Sequence, residues 1–356
     1  MMQKKAKKSS KKIEKYQFET LTPESWNKAR LLSLLKKFSK KKILVIGDVG
    51  VDRYTTGIVE RISPEAPVPI VLVQDEKLKL GLAANVADNI SVLQGVPLLV
   101  GVVGRDRGAE DLKRLLKKGR MSPHHLIADP ARRTVLKERI VSDRQQLVRV
   151  DYESTHAISQ QVESHVFNRF KKLLPDADGV VVEDYAKGGM TGTLIHSIVK
   201  LAHQHKKWIA VDPNLKTPVH AYSGVSILTP NTREAEFLSG IKIEDYESLL
   251  AAGVSILADT QAQHVVITRG KDGMAIFERG ESRVRLIPTF AQEVYDVSGA
   301  GDTVVSVLAL AQAAGATIDE ACILGNLAAG VEVGKRGTAT VSAEEIEVAL
   351  SFFTEE

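Results

Sequence analysis

The stretch EVYDVSGAGDT, residues 293–303, sets glycines at 299 and 301 around Ala300 and places a carboxylate, Asp302, directly behind them. Glycine lacks Cβ, so the backbone can turn tightly there and approach a ligand closely. The apolar run that follows reads as a helix whose first turn offers free N–H groups and the positive end of its dipole, a seat for an anion. A carboxylate at that end is stabilised as the anion, so Asp302 is expected to stay ionised and able to accept a proton. Two roles stay open for it, helix cap and general base. A second element, TPNTREAEF (229–237), sets Asn231 and Glu234 three apart at a strand-to-helix junction, on one face of the first turn. That pair suits either the ordering of a hydrated Mg²⁺ or a capping box. Together the two elements offer a base, an anion cradle and a metal-ordering pair, the parts that phosphoryl transfer needs.

Other signatures fail. GVEVGK (330–335) has three residues between its glycines and Arg336 where a P-loop needs Ser or Thr. The glycines at 299–301 lack the third member of a dinucleotide fingerprint and come late in the chain. Neither a Gly-x-Ser-x-Gly elbow nor a His-Glu-x-x-His is present, which argues against a serine hydrolase and a zinc protease. One cysteine, Cys322, excludes an internal disulfide framework and fits a reducing cytoplasm. No apolar run approaches the ~18 residues of a membrane span, and no membrane partner is expected. The net charge of +4 hides an asymmetry: residues 1–42 hold 14 Lys and Arg against 3 Asp and Glu, and the remainder is acidic. Such a like-charge block reads as a solvated leader, flexible at its start, and a nucleic-acid partner is not expected from it.

The candidate residues need a scaffold that gathers strand ends. Continuous apolar runs at 43–48, 97–104, 179–185, 207–213, 225–231 and 264–270 alternate with helix-like stretches such as 83–94, 160–174, 192–205 and 243–259. Continuous runs suit parallel strands covered on both faces. The order predicts an α/β fold with a doubly wound, mostly parallel sheet flanked by helices. Ligands in such folds bind beyond the carboxyl ends of the strands, where Asp48, Asp184, Asp212, Asn231 and Thr268 fall. Two alternating segments, 52–80 and 133–153, read as a small antiparallel β lid. The expected organisation is a basic leader at 1–42, one domain at 43–350 and a tail at 351–356.

On the paired GAGD (299–302) and Asn-x-x-Glu (231–234) motifs, the chain resembles the ribokinase-like PfkB carbohydrate kinases over about residues 43–350. The strings GDVGVDRY (47–54), RISPEAPVPIV (61–71), QQLVRVDYE (145–153), DYAKG (184–188) and VYDVSGAGDT (294–303) resemble the branch of that family that acts on heptose 7-phosphate. The resemblance implies ATP-dependent phosphorylation of the anomeric hydroxyl, in the supply of nucleotide-activated heptose for lipopolysaccharide. It implies Asp302 as base, the N–H groups of Gly299, Ala300 and Gly301 as anion hole, and Asn231 to Glu234, with Thr232 and Arg233 between them, at the metal–nucleotide. Thr268, Gly270, Gly273 and Asn326 would line the nucleotide cleft. Asp48, Gly81, Asn85 and Asp184 would meet sugar hydroxyls, and Arg53, Arg139 and Lys187 are the candidate cations for the 7-phosphate. ATP and Mg²⁺ are the expected cofactors, with room for a monovalent cation, and a cytoplasmic homodimer joined through the lid is expected.

Three departures stand out. Leu82 occupies the lid hinge where relatives carry a second glycine, Asn214 stands where the branch has Lys, and the basic leader is long. Absence of a His-x-Gly-His signature gives the expectation of a kinase alone, with adenylyl transfer left to another polypeptide. A kinase for another sugar, and a non-catalytic sugar-nucleotide sensor, are the rival readings.

Overall fold

The computed structural model describes residues 16–142, 145–291, 293–335 and 339–354; the start of the basic leader lies outside the described residues. In chain order the elements begin with β1 (Gln17–Thr20), α1 (Lys28–Lys36), β2 (Lys42–Gly47), β3 (Val49–Ile62), β4 (Pro69–Leu82), α2 (Ala83–Val92), β5 (Val96–Val103) and α3 (Arg107–Lys118). They continue with β6 (Leu126–Ala128), β7 (Val135–Ser142), β8 (Gln145–Tyr152), α4 (Gln160–Leu173), β9 (Gly179–Glu183), α5 (Gly192–Gln204), β10 (Ile209–Asp212) and β11 (Ile227–Leu228). The rest of the chain forms α6 (Thr232–Ser239), α7 (Tyr246–Thr260), β12 (His264–Thr268), β13 (Met274–Glu278), β14 (Arg283–Ile287), α8 (Ala300–Ala313), α9 (Ile318–Val333) and α10 (Ala343–Thr354).

Ten strands form one sheet in the order β1-β14-β13-β12-β11-β10-β9-β2-β5-β6. Its centre is parallel, and β13 runs antiparallel between β12 and β14. The apolar strands supply both faces. Val45, Val181 and Ala210 pack beneath α2, α8 and α9, while Ile46, Val182 and Val211 pack on the side of α4, α5 and α7. This two-sided burial is why the runs are continuous and not alternating.

The body begins earlier than the charge count suggests. Within the leader, β1 pairs with β14, and Leu31, Leu34 and Phe38 are buried against the core. Their spacing of three and then four residues gives α1 an apolar stripe, which a tally of Lys and Arg averages away. At the other end, residues 343–354 form α10, so the helix runs through most of the expected tail.

The lid is a second sheet, ordered β4-β3-β7-β8, with antiparallel outer pairs and a parallel β3–β7 pair at its centre. Register decides which side chains share a face. Lys79, Asp52, Lys137 and Asp151 align across the four strands in one row, and Lys77, Tyr54, Arg139 and Arg149 in the next row on that face. The opposite face carries Leu78, Arg53 and Glu138, with α3 packed against β3.

Candidate active site

The turn that enters α8 is built as the glycine pattern implies. Gly299 sits at φ 101°, in the region that favours glycine, and forms the N-cap without a side-chain bond. At Gly301 an added Cβ would meet nothing within 4 Å, so packing does not require glycine there and the N–H groups border open space. Asp302 lies inside the first turn and does not act as the N-cap. Its Oδ2 accepts from Asn85 Nδ2 at 2.7 Å, and its Oδ1 accepts from the Tyr185 hydroxyl at 2.5 Å. Burial moves its carboxyl above the usual Asp range, opposed by these two hydrogen bonds and by Lys137. The helix end alone implied a plainly ionised group; the low-dielectric surroundings outweigh it.

Two further carboxylates face Asp302. Glu183 and Asp212 end β9 and β10 as cross-strand partners, so both point to the α8 side. Ligand atoms of Glu183, Asp212 and Asp302 lie within 4.8 Å of one another. Glu183 is fully buried, and neither of its carboxylate oxygens has a hydrogen-bond partner. Burial first, then its acidic neighbours, raise its pKa, and the same is true of Asp212. Asn231 and Glu234 form a reciprocal capping box at the start of α6: Glu234 N–H donates to Asn231 Oδ1 at 3.0 Å, and Asn231 N–H donates to Glu234 Oε2 at 2.8 Å. The box anchors Glu234 where its charge bears on Asp212. Orphaned buried oxygens among clustered carboxylates fit a hard divalent cation such as Mg²⁺. Glu183 was missed because it hides inside an apolar strand sequence; only the pairing of β9 with β10 reveals it.

The expected nucleotide residues form a neighbouring group. Thr232 Oγ1 donates to the Thr268 carbonyl at 3.4 Å, and Asn231 bridges Thr268. Gly273 sits at φ 78°, where a Cβ would press on the Ile287 carbonyl, and Asn326 Nδ2 donates to the Pro288 carbonyl at 2.6 Å. Gly270 turns between them at φ 56°, and Arg233 is exposed.

The expected sugar residues divide. Asn85 reaches the base, and a Cβ at Gly81 would meet Asp52 Oδ2 at 2.7 Å. Asp48 and Asp184 are buried with their oxygens occupied within the protein. Asp48 accepts the N–H groups of Tyr185, Lys187 and Gly189, and Asp184 accepts from Ala186, Thr217 and Tyr222. They shape the 184–189 loop, and burial pushes Asp48 up to about 6. Arg53 needs correction: it alternates onto the α3 face of the lid, beside Asp111 and Glu138, away from Asp302. Arg139 is on the cleft face, paired with Asp52 at 2.5 Å, and Lys187 pairs with Glu153 at 2.6 Å. Leu82 adopts φ 58°, ψ −140°, a conformation suited to glycine, immediately before α2. Asn214 donates to the Asp184 carbonyl and to Thr217, a structural bridge.

The pfkB family carbohydrate kinase model matches residues 40–346. "Bifunctional protein HldE" of Helicobacter hepaticus is 39% identical over 305 residues, covering 86% of this chain and 63% of that protein. The protein of the same name from Geobacter sulfurreducens is 41% identical over 309 residues, covering 87% and 63%. The chain thus spans less than two-thirds of the length of these curated relatives. Among solved structures, Arabidopsis thaliana ribokinase complexed with ribose and ATP superposes with a TM-score of 0.70 at 18% identity, covering 88% of this chain and 99% of that one. Phosphofructokinase-2 from Escherichia coli in complex with fructose-6-phosphate gives 0.69 at 16%, covering 89% and 99%. At those identities the likeness concerns the fold.

Proposed function

Because the chain belongs to the pfkB family of carbohydrate kinases and is an ATP-dependent sugar kinase, we propose that its acceptor is D-glycero-β-D-manno-heptose 7-phosphate, phosphorylated at the anomeric hydroxyl. The observation that carries this reading is the cationic inner face of the lid, which turns Lys137, Arg139 and Arg149 on one strand face toward the side of Asp302. A neutral sugar gives such a face no work; a phosphate monoester does. The sequence strings shared with the heptose 7-phosphate branch point the same way, and the product would serve lipopolysaccharide assembly in the cytoplasm.

In this mechanism the acceptor hydroxyl lies against Asp302, whose carboxylate takes the proton as the hydroxyl oxygen attacks the γ-phosphorus of ATP and the bond from that phosphorus to the β,γ-bridging oxygen breaks, releasing ADP. Tyr185 and Asn85 hold both carboxylate oxygens and fix the direction of that transfer. A base with a raised pKa is better matched to neutral pH than an ordinary Asp. The N–H groups of residues 299–301 face the transferring phosphoryl group, and each such donor contributes about 10²–10³ in rate. Bound Mg²⁺ supplies charge neutralisation along the phosphates. Glu183, Asp212 and, through water, Asn231 and Glu234 are the residues that would hold it. The exposed Ile62, Val68, Leu72 and Val73 of the lid (50–61% exposed) suit a homodimer formed through this sheet. A coupled ADP-release assay across phosphorylated and free sugars tests the substrate. Turnover of heptose 7-phosphate well above free heptose is expected, and preference for a free sugar would overturn the reading.

A further inference from the structure

The three cations first expected to meet the acceptor's phosphate all carry carboxylate partners. Arg53 faces Asp111 and Glu138 on the wrong side of the sheet, Arg139 is joined to Asp52, and Lys187 to Glu153. Arg149, the remaining cation beside them, holds Asp151 through two bonds of 2.9 Å. Lys137 stands at the centre of this group. Its charged neighbours include Asp52, Lys187, Arg139, Arg149 and Asp302, and both carboxylates are held by other donors, Asp52 by Arg139 and Asp302 by Asn85 and Tyr185. Among the described residues its ammonium has no ion pair or hydrogen bond, only the face of the Tyr185 ring at 5.7 Å from the centroid. That same ring carries the hydroxyl bonded to Asp302. Lys137 is half-buried, and burial, with the cations around it, pulls its pKa down.

A partly desolvated ammonium ringed by other cations is costly without an anion. Phosphate oxygens supply that anion. They could come from ATP or from the acceptor, and placement separates the two. The phosphates of ATP would have the N-terminus of α8 and the metal that Glu183 and Asp212 would hold on the body, whereas Lys137 belongs to the lid and shares its row with Asp52 and Lys79.

Resting on the reading that the acceptor is a phosphorylated sugar, we propose that Lys137 is the residue that binds the acceptor's own phosphate group and sets the enzyme's preference for phosphorylated over free sugars. Arg139 and Lys187 then act from either side, oriented by Asp52 and Glu153. The sequence alone does not single it out, because Lys137 lies between Leu136 and Glu138 in a strand that carries two further charged residues, Glu138 and Arg139.

The test is steady-state kinetics of full-length Lys137→Met and Lys137→Arg beside the wild type, with heptose 7-phosphate and free heptose as acceptors. Loss of a charge-assisted bond to phosphate predicts a rise of about ten- to hundredfold in KM for heptose 7-phosphate in the Met variant. KM for ATP should stay within a few-fold, the loss on free heptose, which reports only the missing charge beside Asp302, should be clearly smaller than the loss on heptose 7-phosphate, and the Arg variant should recover part of the affinity. An unchanged sugar KM with a collapsed kcat, or an equal loss on both sugars, would overturn the assignment and place Lys137 at the transferring phosphoryl group. Wild-type enzyme that turns over free sugars but not heptose 7-phosphate would instead sink the substrate reading, whatever the variants do. A normal KM for ATP in the Met variant shows that a changed sugar KM is not a folding defect.

Discussion

The body and the lid meet at the cleft with opposite electrostatics. On the body, Glu183, Asp212, Glu234 and Asp302 gather at strand and helix ends, and Glu183 has no partner for either oxygen. On the lid, carboxylates and cations pair in register, as Asp52 does with Arg139 and Asp151 with Arg149. The body therefore gathers carboxyl groups whose charge must be compensated by a bound cation or by protons, while the cleft face of the lid holds in-register pairs around Lys137, which among the described residues has no ion pair. On the proposed reading, the unrelieved carboxyls would meet metal and reacting groups, the unpaired Lys137 the substrate phosphate, and the paired charges would hold these groups in position.

This contrast can be broken at several depths. The largest effect is expected at Asp302. Asp302→Asn keeps the size of the side chain and one acceptor oxygen for Asn85 or Tyr185 but cannot take a proton, so kcat should fall about 10²–10⁴-fold with ATP affinity near normal. A purified variant with more than a tenth of wild-type turnover would remove Asp302 as the base. Next comes Glu183→Gln. If this carboxylate holds metal, the Mg²⁺ concentration for half-maximal activity should rise by at least about tenfold. An unchanged Mg²⁺ requirement combined with a higher Tm would show a charge that is merely buried. A smaller effect, on stability, concerns Glu332 in α9, another buried carboxylate, whose pKa burial pushes up to about 8 against the opposing pull of Thr303. The folded state then binds a proton more tightly than the unfolded chain between pH 4.5 and about 8. Stability from this group is fully present below that window and is lost as pH rises through it. Glu332→Gln should flatten the decline in Tm across that range, and an identical pH profile in both proteins would refute the assignment.

Much of this division was legible in the amino-acid sequence. Strand ends announce themselves because an apolar run that closes on Asp or Asn has no packing reason to do so, and Gly299 and Gly301 mark a close backbone approach before any contact is known. What stayed hidden depends on pairing. Arg53 and Arg139 look equivalent in the sequence, yet the parallel register of β3 with β7 places them on opposite faces. Tyr185 meets Asp302 across 117 residues of chain, and no local pattern encodes that distance. Residues 17–38 were masked by their own lysines, although Leu31, Leu34 and Phe38 carry the spacing of a packed helix.

The segment from Leu82 to Asn85 joins the end of lid strand β4 to the hydrogen bond on the base in a single turn of chain. A kinase whose base can meet water wastes ATP, so the resting rate of hydrolysis without sugar is a property that selection would watch. The lid strand and the grip of Asn85 on Asp302 meet at one strained residue, Leu82. Fuel economy, read as ATP hydrolysis without sugar, is therefore where a change at this hinge is expected to show.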